Sequence, residues 1–296
     1  MNSNGQLEMQ RNVATHQLLL KAGAHLFRRG NVELLRLANP GLHLTPEQQR
    51  DLIAVFAAET DAIYKADTSH YWNRRPDYLI SLKELLTIHL EGSLIGWAGL
   101  SLLSDGKEKV LYVDTMNVRT NVPRSTFQLR PALMLAHEVY VAAAFRCWPP
   151  NLPCGFRTQN PRVYQLASAL TPNAVHPRVV NNPMARKNPR AARAAKVLAK
   201  SLSPSKPFDS ECSVIRGAYE RCLYGKTSPA LRTSNASVSE YWSKHLATED
   251  GDALVITVTP TLAENITVIG RYYMAVLKDK ARRILSRMQA LNAHLY

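Results

Sequence analysis

Three apolar runs separated by two turn signals, between Leu85 and Val118, constrain the fold of this chain more than any other stretch. Leu85 to Leu90 (LLTIHL) is followed by Glu91-Gly92, Leu94 to Leu103 (LIGWAGLSLL) by Asp105-Gly106, and Val110 to Val118 (VLYVDTMNV) closes the set. Short runs of this composition bounded by turn residues read as strands, and Asp-Gly is a strong hairpin signal because both residues tolerate positive φ. The stretch therefore predicts an antiparallel meander. His89, inside the first strand, reads as a packed residue and not as a catalyst.

After the third strand, Arg119 to Arg130 is a basic turn and Pro131 to Phe145 a helix with proline at an early position. A strand that feeds a helix through such a turn aims the helix's free amides at the junction, a candidate anion site. Cys154 to Thr158 follows as a strand and Pro161 to Leu170 as a helix, with Val163, Leu166, Ala167 and Leu170 on one side. Upstream, Thr45, Pro46 and Gln48 form a capping-box start, so Thr45 to about Tyr64 is helical. Gln17 to Arg28 and Val32 to Leu37 also read as helical, which makes residues 1–77 an N-terminal helical segment packed on the core. Asp67 to Asp77 carries Tyr71, Trp72, Arg74, Arg75 and Pro76 without periodicity: either a structural loop or one wall of a substrate cleft.

Residues 171–250 read as a basic insertion with one helix at Ala191 to Lys200, a linker at Ser201 to Pro207, and isolated aromatics at Tyr219, Tyr224, Tyr241 and Trp242. Ala253 to Thr259 (ALVITVT) is a late strand, and a long basic helix, weakened near Gly270, runs from about Asn265 to Leu291. The fold class predicted is α+β with an α/β-like order: a mostly antiparallel central sheet over residues 78–262, flanked by helices, with a C-terminal helix at 263–296.

The formal charge is +14 over 296 residues, and no Asp or Glu occurs between Glu138 and Asp209, where eleven Arg and Lys residues fall. That field favours an anionic partner, although a solvated basic face reads equally plainly from it. Four cysteines without CxxC spacing and no secretory leader pattern point to reduced thiols and a cytoplasmic setting. No apolar run reaches the roughly 20 residues of a membrane span. His137 and Glu138 resemble half of an HExxH motif, but position 141 is Val, so no metal site is expected.

Ser81 to Leu170, with Ala253 to Thr259 as a late strand, resembles the GNAT superfamily of N-acetyltransferases: a meander, a strand ending in a small apolar residue (Val118), a turn and long helix, a second strand, then a helix opened by asparagine (Asn160). The resemblance implies an acyltransferase that takes acyl-CoA, or another acyl thioester, as donor. It places the donor's phosphates on the turn, where this chain departs from the family: no glycine occurs between Gly106 and Gly155. Arg124, Ser125 and Thr126, aided by Arg119 or Arg130, stand where bare glycine backbone is usual. The family's general acid, a tyrosine seven residues after the asparagine, is replaced by Ala167, and Tyr164 is the nearest phenol. A base for the accepting amine falls on Asp114, an acid within an apolar strand, unless it is an ordinary ion-paired aspartate.

Three functions follow as expectations. The first is transfer of an acyl group from acyl-CoA or acyl carrier protein to an amine. The second is an aminoacyl-tRNA-dependent transferase, which the positive charge and glycine-poor turn suit. The third is a non-catalytic scaffold that binds nucleic acid or an acidic partner through residues 139–208, where the lack of aromatics from Thr171 to Pro207 argues against base stacking. The C-terminal helix also offers a face for a second copy of the chain.

Overall fold

The structure, a computed structural model, describes residues 14–29, 31–119, 131–179 and 188–293. Its sheet begins earlier in the chain than the sequence predicts. Among the described residues at the N-terminal end, 14–21 (α1) are helical. They lead into β1 (His25–Arg29) and β2 (Val32–Ala38), an antiparallel hairpin. The helix expected across Gln17 to Arg28 thus holds only over residues 17–21, and His25 to Arg28 and Val32 to Leu37 are strand instead. Leu34, Leu35 and Leu37 fit a helical or an extended pattern alike, and an unpaired sheet edge settles the matter. That edge is β3 (Glu84–Leu90), which pairs with β2 from Val32↔Leu90 to Ala38↔Glu84. Among the described residues before position 78, β1 and β2 therefore belong to the sheet and are not part of a helical segment packed on it.

Between these strands lie α2 (Pro40–His43), α3 (Pro46–Tyr64), α4 (Ser69–Trp72) and α5 (Tyr78–Ser81). The capping box at α3 forms as read: Thr45 Oγ1 accepts from the Gln48 amide and Gln48 Oε1 from the Thr45 amide. The meander is β3, β4 (Ser93–Ser104) and β5 (Lys109–Val118), antiparallel throughout. Pairing between β4 and β5 slips between Gly99↔Thr115 and Leu100↔Val113, so Asp114 is the extra residue of a bulge.

Helix α6 (Pro131–Val141) ends in a π turn over Ala142–Arg146 and returns the chain to β6 (Cys154–Thr158), parallel to β5. Then come α7 (Pro161–Leu170), β7 (Val175–His176), α8 (Pro189–Leu202), β8 (Phe208–Asp209), β9 (Val214–Ile215), α9 (Ala236–His245), β10 (Ala253–Val258) and α10 (Leu262–Ala293), which passes unbroken through Gly270. β10 lies antiparallel to β6, and its other edge takes β9 near its start and β7 near its end. Within the stretch read as an insertion, 171–250, β7, β8 and β9 thus join the far side of the sheet.

Strand alternation sorts β5 between two cores. Leu111 and Val113 pack with α6, α7 and α10, whereas Val110 and Tyr112 pack with Ala194, Ala195 and Leu198 of α8. A third cluster joins α3 and α5 to β2–β4, with Phe56 and Trp97 stacked at 4.8 Å. Gly155 is required by this packing, because a Cβ there would run into Leu198.

Candidate functional site

β5 and β6 pair through only three residues, Leu111↔Cys154, Tyr112↔Gly155 and Val113↔Phe156. Beyond them β5 runs on to Val118 and β6 to Thr158 without pairing, so the sheet opens in a V. A cavity of about 1230 Å³ occupies the opening. On the α6–α7 side its wall is mainly apolar, with Val118, Pro131, Leu133, Val163, Leu166 and Ala169, joined by Arg162 and Gln165 of α7. At its other end phenol rings predominate: Tyr64 from α3, Tyr71 from α4, and Tyr219 and Tyr224 from the coil after β9.

Among the described residues lining this cavity, Asp114 is the one carboxylate, and there is no histidine or cysteine. Asp114 follows Val110 and Tyr112 onto the α8 side of the sheet, where its Oδ2 pairs with Arg75 while its Oδ1 is buried without a partner. Arg75 is held between Tyr71 and Tyr78, 4.8 and 4.9 Å from the ring centres, and it donates to the Tyr71 hydroxyl. Tyr64 donates to Asn117 Oδ1 at 2.8 Å and stacks on Tyr224 at 4.1 Å. Tyr224 is within hydrogen-bonding reach of Tyr64 and of the Asn160 side chain. Burial pushes the pKa values of Tyr64, Tyr71 and Tyr224 up, so these hydroxyls keep their protons at neutral pH. The thiols outside the site are likewise pushed up by burial, Cys154 to about 12 and Cys212 to about 11, which makes them poor nucleophiles.

The sequence candidates are placed as follows. Val118, Arg119, Asp114 and Asn160 all line the cavity. Asn160 caps α7 through a 2.9 Å bond from the Arg162 amide. Arg119 is clasped by Glu59, with Nε 2.7 Å from Oε2 and Nη2 on Oε1, so its charge is taken up within the wall. Tyr164 is not brought to the cavity. It is buried in the core beneath α7, where its hydroxyl donates to Pro177 O and accepts from the Val179 amide, each at 3.0 Å. A helix turns about 100° per residue, so Tyr164 and Ala167, three residues apart, lie about 60° from each other and are buried in the same core, while Val163, Leu166 and Ala169 are among the α7 residues turned to the cavity. Arg124, Ser125 and Thr126, together with Arg130, lie outside the described residues.

Sequence reading missed Tyr64, Tyr219, Tyr224 and Arg157. Tyr64 read as the end of a packing helix, and the other two tyrosines as isolated aromatics in coil. Gly225 was the available signal: its amide donates to Tyr64 O at 2.9 Å, and a Cβ would strike the Lys65 carbonyl, so the coil must dock closely on the end of α3. The basic third quarter of the chain is dispersed by the fold. Arg146 pairs with Glu84 and Glu138, Arg190 and Arg193 approach Glu108, and Lys196 and Lys200 remain exposed on α8. Among the described residues no cluster of His, Cys, Asp and Glu suits a metal ion, and no helix is long and apolar enough to cross a membrane.

No protein-family model and no curated protein sequence matches the chain. Among solved structures it is similar to an integron cassette protein of V. cholerae, at 14% identity and a TM-score of 0.34 over 48% of this chain and 86% of that one. It is also similar to ribosomal-protein-alanine N-acetyltransferase from Brucella melitensis biovar Abortus 2308, at 18% identity and 0.29 over 47% and 90%. An aminoglycoside acetyltransferase from an uncultured soil metagenomic sample matches at 15% and 0.24 over 36% and 66%. The observed topology, a meander, a parallel strand pair that splays, and a helix capped by Asn160, is the GNAT-like arrangement that the sequence resemblance implies.

Proposed function

We propose that this chain is an acyltransferase that moves an acyl group from a thioester donor, acyl-CoA or an acyl carrier protein, to an amine. The observation that supports it best is the V between β5 and β6 with a cavity of about 1230 Å³ running through it. Where the strands separate, backbone donors on their facing edges lose their ladder partners and become available to a thioester carbonyl. The mainly apolar walls of α6 and α7 suit an extended thioester arm, and the phenol-lined end suits the acceptor.

In the reaction the amine nitrogen bonds to the thioester carbon and the carbon–sulfur bond breaks. The amine proton passes to Asp114, directly or through a water molecule, and the departing thiolate takes a proton from a phenol. Tyr224 fits that second role better than Tyr164, since it lines the cavity beside Asn160 and keeps its proton at neutral pH. Phosphates of an acyl-CoA would fall near the basic turn that includes Arg124, Ser125 and Thr126.

Calorimetry with acetyl-CoA, longer acyl-CoAs and an acyl-phosphopantetheine tests the reading. Saturable binding of one donor, competed by the free thiol form, is expected. Failure of every thioester to bind or to raise the melting temperature would overturn it.

A further inference from the structure

The acceptor end of the cavity carries more positive than negative charge. Asp114 is already paired with Arg75. Arg157, from β6, lines the same cavity, and among the described residues no carboxylate lies within ion-pair distance of it. Its Nη1 donates to Leu202 O at 3.2 Å and Ser203 Oγ at 3.0 Å, Tyr219 covers its guanidinium at 4.7 Å, and its Nε is buried with no partner. Arg157 and Asp114 are close enough for each charge to act on the other. Two guanidiniums and one carboxylate leave one positive charge in this wall without an anion of its own, on an arginine that is partly exposed. Beside it stands the complementary deficit. The Asp114 side chain is 3% exposed, and its Oδ1 accepts no hydrogen bond.

One wall thus presents a cation that lacks an anion and an acceptor that lacks a donor. An amine alone satisfies only the second, and a carboxylate alone only the first. We propose that the acceptor is a free α-amino acid, with its amino group at Asp114 and its carboxylate at Arg157. Asp114 orients the nitrogen that is acylated, and Arg157 selects acceptors with a carboxylate next to that nitrogen. The phenol rings of Tyr64, Tyr71 and Tyr219 form the remaining wall and suit an uncharged side chain on the amino acid. This assignment rests on the acyl-transfer reading, which supplies the amine.

The test compares the common L-amino acids with the amines left when their carboxyl groups are removed, and with their amides. Acetylation from acetyl-CoA and direct binding by calorimetry are measured in parallel. For at least one amino acid, a preference of about tenfold or more over its amine in kcat/KM is expected, the worth of one charge-assisted pair. Arg157→Gln should collapse that preference through KM, and Arg157→Lys should restore part of it; melting temperatures report whether either variant folds. Equal use of amine and amino acid, or an unchanged preference in Arg157→Gln, would overturn the assignment and leave acyl transfer standing. Should no thioester be used at all, calorimetry still decides: an amino acid that binds wild type and loses affinity in both Arg157 variants upholds the site, and absence of binding by every amino acid removes it.

Discussion

At the scale of single residues, two tyrosines near one helix have opposite fates. Tyr164 is fixed by two backbone partners, Pro177 and Val179, whereas Tyr224 stands in the cavity against Tyr64 and Asn160. Tyr224→Phe is expected to lower kcat about 100-fold with little loss of stability, because it removes a proton donor and keeps the ring. Tyr164→Phe should do the reverse, costing about 1–2 kcal/mol of stability for two lost hydrogen bonds while kcat stays within a few-fold. Kinetics and urea melts on the two variants separate these outcomes, and a Tyr164→Phe variant with the larger kcat defect would return the role to Tyr164. The Arg75–Asp114 pair is read by a cycle. Arg75→Leu leaves a buried carboxylate without its cation and should cost about 3–5 kcal/mol. Adding Asp114→Leu removes the stranded charge, so the double variant should be more stable than Arg75→Leu alone. If the second change instead adds its full cost, the ion pair does not hold this wall together.

Elements show where the sequence was readable and where it was not. The meander, β6, α7, β10 and the capped start of α3 could be read because each carries its own local marks: alternation, Asp-Gly, Cys154 to Thr158 between prolines and Asn160, and Thr45 with Gln48. β1 and β2 could not, since a Leu-rich run with two or three plausible periods takes its conformation from the free edge of β3. The site was half legible for the same reason. Asp114, Val118 and Asn160 sit on regular elements whose geometry follows from pattern. Tyr219 and Tyr224 reach the cavity from coil held by long-range contacts, and only Gly225 hinted at that docking. Gly225→Ala tests it. The added Cβ meets the Lys65 carbonyl, a backbone atom that cannot swing away, so the coil must lift from the end of α3. A loss of roughly 1–3 kcal/mol is expected, together with weaker thioester turnover as Tyr224 shifts. A variant as stable and active as wild type would mean that the coil's contact with α3 does not position Tyr224.

For the molecule as a whole, the N-terminal addition to the sheet makes stability depend on pH. His89 of β3 is fully buried, with Nε2 2.9 Å from Thr87 Oγ1, and it lies edge-on to His16 of α1 at 4.9 Å. His16 in turn pairs with Glu33 of β2 at 2.5 Å, so α1, β2 and β3 meet at these three residues. Burial, and then the charge of His16, pull the His89 pKa down to about 4, well below the usual 6.5. Folded His89 therefore stays neutral down to about pH 4, while the unfolded chain takes up a proton from about 6.5 downward. Between these values the unfolded state binds more protons, so stability rises with pH across the window and levels off above it. The full change for His89 is on the order of 3 kcal/mol. His70 and His176, also held below their ordinary value chiefly by burial, add in the same direction. Urea melts at intervals from pH 4.5 to 7.5 should show the slope, and His89→Gln should remove the larger part of it. A slope unchanged in His89→Gln would place the proton uptake on the other histidines and separate the docking of α1 and the β1–β2 hairpin from the protonation of β3.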